Sequence, residues 1–232
     1  TAVKQGHTVD LYEKKNHLGG QLCHADYSSF KWPLKDYKEW LIHQCAKNGV
    51  NIHLNREISP EELKAMHYDV VFAALGVKPN RLPIPGIDGE NVTFALDVYG
   101  KQEQLGQHVV VIGGAETGTE TALYLSECGH TVTVLSRQHE IAPDCDRIHY
   151  REVVLDACAE AKNFDFILNA FTKEIRSDGV VYADKDGKLH TIPADSVVVS
   201  GGSKPLQAEA LRYANCAPEF KLLGDCNIPA NM

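Results

Sequence analysis

The run His108-Val-Val-Val-Ile-Gly-Gly-Ala-Glu-Thr-Gly-Thr-Glu-Thr-Ala122 limits what this chain can fold into more than any other stretch. An apolar, β-favouring segment leads straight into a glycine-rich turn, and the turn leads into residues whose Ala122, Leu123 and Leu125 suit a helix. Strand, tight turn and helix in that order specify a parallel βαβ unit. Gly113 permits the bend, small Ala115 lets backbone approach a ligand closely, and Gly118 allows close helix–strand packing. Ala115 stands where the strict pattern has glycine, a change of one methyl group. The helix N-terminus offers unpaired N–H groups and the positive end of a dipole, which suit a pyrophosphate. A second β run, Thr131-Val-Thr-Val-Leu135, arrives where such a unit needs its next strand. A dinucleotide is therefore the ligand that Gly113, Gly114, Ala115, Glu116, Thr117, Gly118 and Glu120 are expected to hold.

Composition narrows the partners. With 232 residues, 44% hydrophobic and 23% charged, the chain can build one large or two modest cores. A net charge of -8 with no basic cluster interleaved with aromatics argues against a nucleic-acid surface. No apolar run approaches the roughly 18 to 20 residues of a membrane span, and no signal-like start is visible, so a cytoplasmic chain without a membrane partner is expected. The seven cysteines form no C-x-x-C and read as reduced thiols. The eleven histidines do not pair with cysteines or carboxylates at ligand spacing, so no metal site is expected.

A longer self-similarity organises the chain. Gly6-His-Thr-Val-Asp-Leu-Tyr-Glu13 and Gly129-His-Thr-Val-Thr-Val-Leu-Ser136 share one template, a helix-ending glycine followed by the second strand of a nucleotide fold. In the first copy the glycine-rich turn would fall before Thr1, so the chain reads as truncated at both ends and as lacking the first strand and phosphate turn of its first domain. A helix is expected over Leu34 to Lys47, a strand over Val50 to Leu54, and a capping box at Ser59-Pro-Glu-Glu62. Tyr68 to Gly76 reads as a buried parallel strand. The Pro- and Gly-rich passage Lys78 to Gly89 reads as a linker or crossover. Ala194 to Gly202 repeats the Tyr68 to Gly76 theme and is read as the return to the first domain. The expected class is α/β, with two Rossmann-like three-layer nucleotide-binding domains, one inserted in the other: 1–98, an insert at 99–194, and a return segment at 195–232.

Five segments in order, Leu11-Tyr-Glu-Lys-Lys-Asn-His-Leu-Gly-Gly-Gln-Leu22, Phe72-Ala-Ala-Leu-Gly-Val-Lys-Pro79, Pro85-Gly-Ile-Asp-Gly89, the Gly113 turn and Leu222-Leu-Gly-Asp-Cys226, resemble the two-dinucleotide-binding flavoprotein fold. Within it, the chain is similar to the C-terminal region of the 2-enoate reductase, 2,4-dienoyl-CoA reductase and trimethylamine dehydrogenase group. The resemblance covers almost the whole chain and implies an FAD-binding outer domain and an NAD(P)H-binding insert. It implies that Glu13, with Lys14 beside it, meets the adenosine ribose of FAD, and that Gly19, Gly20, Gln21 and Leu22 bring backbone against the flavin nucleotide. Asp225, after Gly224, would accept from a ribityl hydroxyl. Ala74 and Gly76 on one side and Gly201 with Gly202 on the other would be the crossovers passing close to the two nucleotides. The family also implies an N-terminal TIM barrel with FMN and a 4Fe–4S cluster, which lie outside this sequence.

The disulfide reductases of the same fold pass electrons through two neighbouring cysteines; here Cys23 stands alone, which disfavours dithiol chemistry. No side-chain acid or base is singled out as catalytic, because hydride transfer between cofactors needs mainly orientation and exclusion of water. Ser136 and Arg137 stand where a carboxylate would select NADH, and a hydroxyl with a guanidinium suits the 2′-phosphate of NADPH. The expected function is an electron-input module that passes hydride from NADPH or NADH to FAD and on to the barrel, for reduction of an enoate or enoyl-thioester. The alternative is a non-catalytic, ADP-holding or structural domain of the kind one branch of the group keeps. With its first strand absent, the sheet edge around Val9 to Tyr12 would favour a homo-oligomer, and FAD would be held poorly.

Overall fold

Valine at successive positions is what a strand buried on both faces requires, and the computed structural model, which describes residues 1–146 and 148–229, shows how both faces are used. A parallel five-stranded sheet runs in the order Val92–Phe94, Ser196–Val199, His108–Ile112, Thr131–Leu135, Phe164–Ile167. Side chains alternate across it. Val109, Val111, Val132, Val134 and Val198 pack with Ala122 and Leu125 of the helix Glu116–Glu127. Val110, Ile112, Leu135, Val197 and Val199 face the other way, onto Ile175, Val180 and Tyr182. Those three belong to an antiparallel sheet of Phe171–Arg176, Gly179–Ala183 and Leu189–Pro193, bulged between Val181 and Tyr182. Helix, parallel sheet and antiparallel sheet thus form three layers around two cores.

The chain divides into two compact units, one of residues 79–202 with Tyr27–Ser29, the other of 1–26, 30–78 and 203–232. This contact division differs from boundaries at 98/99 and 194/195. Val92–Phe94 and Ser196–Val199 both hydrogen-bond into the five-stranded sheet, so their segments pack with the central unit. Ala194 to Gly202 is therefore not yet a return to the outer unit; that begins at Ser203. Nor is Lys78 to Gly89 a bare linker: Leu82, Ile84 and Ile87 pack on the second core, and Ile175 N donates to Pro85 O at 2.8 Å. The segment's entry and exit are tied together, with Asn80 N on Gly202 O at 2.8 Å and Asn80 Nδ2 on Gly201 O at 3.2 Å.

The outer unit carries two parallel pairs, Asp10–Tyr12 with Asn51–His53 and Val70–Ala73 with Glu219–Leu222. The helix expected from Leu34 starts at Trp32, with a proline in its first turn, and ends at Lys47. Ser59 and Glu62 form the expected capping box, each satisfying the other's backbone N–H, at 3.1 and 2.9 Å, ahead of the helix Pro60–Ala65. Val70–Ala73 corrects the expectation of a strand buried on both faces. Val71 and Ala73 are buried, whereas Val70 and Phe72 are exposed, so only one face is covered.

Candidate functional site

The strand His108–Ile112 ends at the turn because Gly113, at φ +114, reverses the chain. Gly113 N donates to Leu135 O at 2.9 Å, and Ser200 N donates to Ile112 O at 2.8 Å, so three parallel strands deliver their C-terminal ends to one place. A Cβ on Gly118 would lie 1.9 Å from Gly113 O, and this is the close helix–strand approach that the sequence predicts for that position. Ala115 is the N-cap, extended at φ -74 and ψ 177, with no side-chain cap of its own. Thr119 N is the first to bond back along the helix, on Ala115 O at 2.9 Å. The N–H groups of Glu116, Thr117 and Gly118 therefore face out of the helix end. A helix end of this kind, at a glycine-rich bend, fits the diphosphate of a dinucleotide.

The surroundings are acidic. Glu120 is buried one turn into the helix and accepts from Tyr150 Oη at 2.5 Å. Burial, with the Glu120 charge behind it, pushes the Tyr150 hydroxyl well above the usual phenol range. The Cys145 thiol is pushed up to about 12, chiefly by burial and then by Glu116, Asp144 and Glu120. Ser136 is buried with its Oγ accepting from Gln138 N at 3.2 Å, whereas Arg137 is exposed. Gly201 and Gly202 sit at the end of Ser196–Val199 and are held by Asn80. Gly113 to Gly118, Gly201 and Gly202 are thus gathered at the C-terminal end of the parallel sheet, with Ser136 behind Gly114. The Ser136 Cβ would lie 2.7 Å from a Cβ on Gly114.

In the outer unit the expected residues fall into two groups. Glu13 follows the strand Asp10–Tyr12; its N donates to His53 O at 3.0 Å and its Oε1 accepts from Lys15 N at 2.8 Å, while Lys14 is exposed. Gly19 leads into the 3-10 turn Gly20–Asp26, which carries Gln21 and Leu22, and Lys38 lies beneath it, almost fully buried and paired with Asp26 and Glu39. The second group stands at the ends of Val70–Ala73 and Glu219–Leu222. Leu223 N and Cys226 Sγ both donate to Ala73 O, at 2.9 and 3.1 Å, which places Gly224 and Asp225 beside Ala74; Gly76 O accepts from Leu206 N at 3.0 Å. Residues that the sequence did not single out are Asp10 and His53, joined at 2.9 Å, with Tyr12 stacked on His53. The His53 hydrogen bond holds the Asp10 carboxyl below the usual range. The stability this contributes is present above the ordinary carboxylate range and is lost as pH falls through the lowered value. Unfolding midpoints measured from about pH 6 down to about pH 3 should therefore fall less steeply in Asp10→Asn than in the parent.

All seven cysteines are free, and Cys23 Sγ lies 3.5 Å from both Leu18 O, to which it donates, and His17 Nδ1. Among the described residues, no three His, Cys, Asp or Glu side chains gather in a group that could hold a metal, and no helix is long and apolar enough to cross a membrane.

The chain matches one family model, two curated relatives and a solved structure. Residues 2–217 match the family model described as pyridine nucleotide-disulphide oxidoreductase. The chain is 35% identical over 225 residues to an NADH oxidase of Thermoanaerobacter brockii, covering 90% of this chain and 32% of that one. It is 32% identical to a cinnamate reductase of Clostridium sporogenes, covering 100% and 34% respectively. A solved complex of 2-naphthoyl-CoA reductase matches with a TM-score of 0.92 at 33% identity, over 99% of this chain and 35% of that one. The chain spans about a third of the length of each of these relatives.

Proposed function

Because this chain belongs to the pyridine nucleotide-disulphide oxidoreductase family, with 2-enoate reductase-type relatives, we propose that it is the electron-input part of a larger flavin-dependent reductase. In this reading Gly113 to Gly118 and Glu120 hold NADH or NADPH, with Gly201 and Gly202 beside them. Glu13, Lys14, Gly19 to Leu22, Ala74, Gly76, Gly224 and Asp225 hold FAD. The bound cofactors supply hydride chemistry, and the protein's part is to fix their orientation and exclude water. Electrons then pass to a further domain, proposed as a TIM barrel with FMN and a 4Fe–4S cluster, where an activated carbon–carbon double bond in an enoate or enoyl-thioester is reduced. The observation that carries the reading is the approach of Gly118 to Gly113, which sets the helix N-terminus directly at the glycine-rich turn. Its support in kind comes from relatives named for reduction of cinnamate and 2-naphthoyl-CoA. The non-catalytic alternative finds no support among these relatives.

Arg137 decides between the two nicotinamide cofactors. Arg137 is exposed just past the end of the strand Thr131–Leu135, the strand end at which a nucleotide fold of this kind recognises the adenosine ribose. A charge-assisted hydrogen bond contributes about 1.5–3 kcal/mol, so Arg137→Glu should weaken NADPH at least about tenfold and leave NADH nearly unchanged. Calorimetric titration with NADPH, NADH, ADP and FAD side by side tests both levels. NADPH binding that survives Arg137→Glu would return the preference to NADH, and binding of ADP alone would sink the redox reading.

A further inference from the structure

The loop after Thr131–Leu135 folds back over the glycine-rich turn. Ala142, buried and at φ +44, donates its N–H to Gly114 O at 3.0 Å. Two residues on, Asp144 Oδ1 accepts the N–H of Glu116, the first residue of the helix, at 2.7 Å. The loop is clamped from behind by Arg151. Its Nε and Nη2 donate to Ile141 O at 3.1 and 2.9 Å, Nε also reaches Ala142 O at 3.3 Å, and Nη2 pairs with Glu140 at 3.1 Å. The carboxylate therefore sits on an outward N–H group of the helix end, where an anion gains from both the hydrogen bond and the dipole.

We infer that Asp144 is an internal competitor for the dinucleotide diphosphate: a tethered carboxylate that occupies the helix end and must be displaced, with its loop, before the nucleotide binds. This rests on the reading that the turn binds NADH or NADPH. A diphosphate and a carboxylate cannot share one N–H group at close range, because like charges in so small a space repel strongly. The tether gives the carboxylate a high effective concentration, so the apparent nucleotide affinity is lowered by the fraction of molecules in which the loop is closed. Asp144 is exposed, so its replacement removes the competitor without opening a core.

The test is calorimetric titration of NADH, and separately NADPH, into the parent, Asp144→Asn, Asp144→Ala, and Asp156→Asn, the last being an exposed helix carboxylate that controls for net charge. Asp144→Ala should bind NADH about fivefold to tenfold more tightly and Asp144→Asn by a smaller factor, with Asp156→Asn equal to the parent. Amide exchange over residues 140–146 should rise when NADH is added to the parent, as the loop leaves the turn. Equal or weaker binding by Asp144→Ala, with the parent itself binding, overturns the competitor and leaves the nucleotide site standing. Failure of the parent and every variant to bind NADH or NADPH overturns both.

Discussion

Gly118→Ala is expected to lose nucleotide binding and stability together. The added methyl carbon would lie 1.9 Å from Gly113 O and 3.1 Å from Ser200 Cβ, so two backbone segments and a side chain would have to part. Overpacking of this kind costs about 1–3 kcal/mol, and a backbone carbonyl cannot rotate aside as a side chain can. The helix would lift from the turn and carry the N–H groups of Glu116, Thr117 and Gly118 out of register with a diphosphate. A loss of roughly 5–10 °C in the unfolding midpoint and at least about tenfold in NADH affinity is expected. A variant that melts and binds like the parent would mean that helix and turn do not approach as closely as described.

Leu125→Ala separates the two effects. Leu125 is fully buried and packs with Val109, Val111, Val132, Val134 and Val198 between the helix and the sheet. Truncation leaves a cavity in that layer, for which about 2–5 kcal/mol is typical, whereas Val153→Ala, at an exposed position on the next helix, should stay within about 0.5 kcal/mol. Because Leu125 lies more than a turn away from the nucleotide end, the folded fraction of Leu125→Ala should bind NADH nearly as the parent does. Denaturant unfolding read alongside titration below the transition checks this. A large loss of affinity in the fully folded variant would show that the turn is set by the core beneath it rather than by its own glycines.

What could be read from the sequence is uneven, for physical reasons. Glycine-rich turns, helix-ending glycines and the Ser59–Glu62 box declare themselves because their chemistry lies within a few residues. The five-stranded sheet was legible as β runs, but its two-sided packing was not: in Val109-Val-Val-Ile112 every position is apolar, so the alternation between two cores leaves no polar mark. The passage from Lys78 to Gly89 looks like a linker because Pro and Gly dominate it, and only Ile175, far along the chain, shows where Leu82, Ile84 and Ile87 go. At the turn, Gly113 to Gly118 were legible as a group, while Asp144 was not. Its contact spans 28 residues, and a loop aspartate that meets a helix end reads the same as one that meets water. Ser136 illustrates a finer limit: it follows the strand end as expected, but its Oγ accepts from Gln138 N, which sequence spacing alone does not reveal.

The bond from Asn80 N to Gly202 O has an evolutionary consequence. Apart from Tyr27–Ser29, the inserted unit begins and ends at neighbouring points, so two crossovers in the gene, at the codons of residues 79 and 202, exchange its continuous part with no re-threading of the host. Proteins that share one host scaffold can then exchange this unit as a cassette, while the rest of the host is inherited separately.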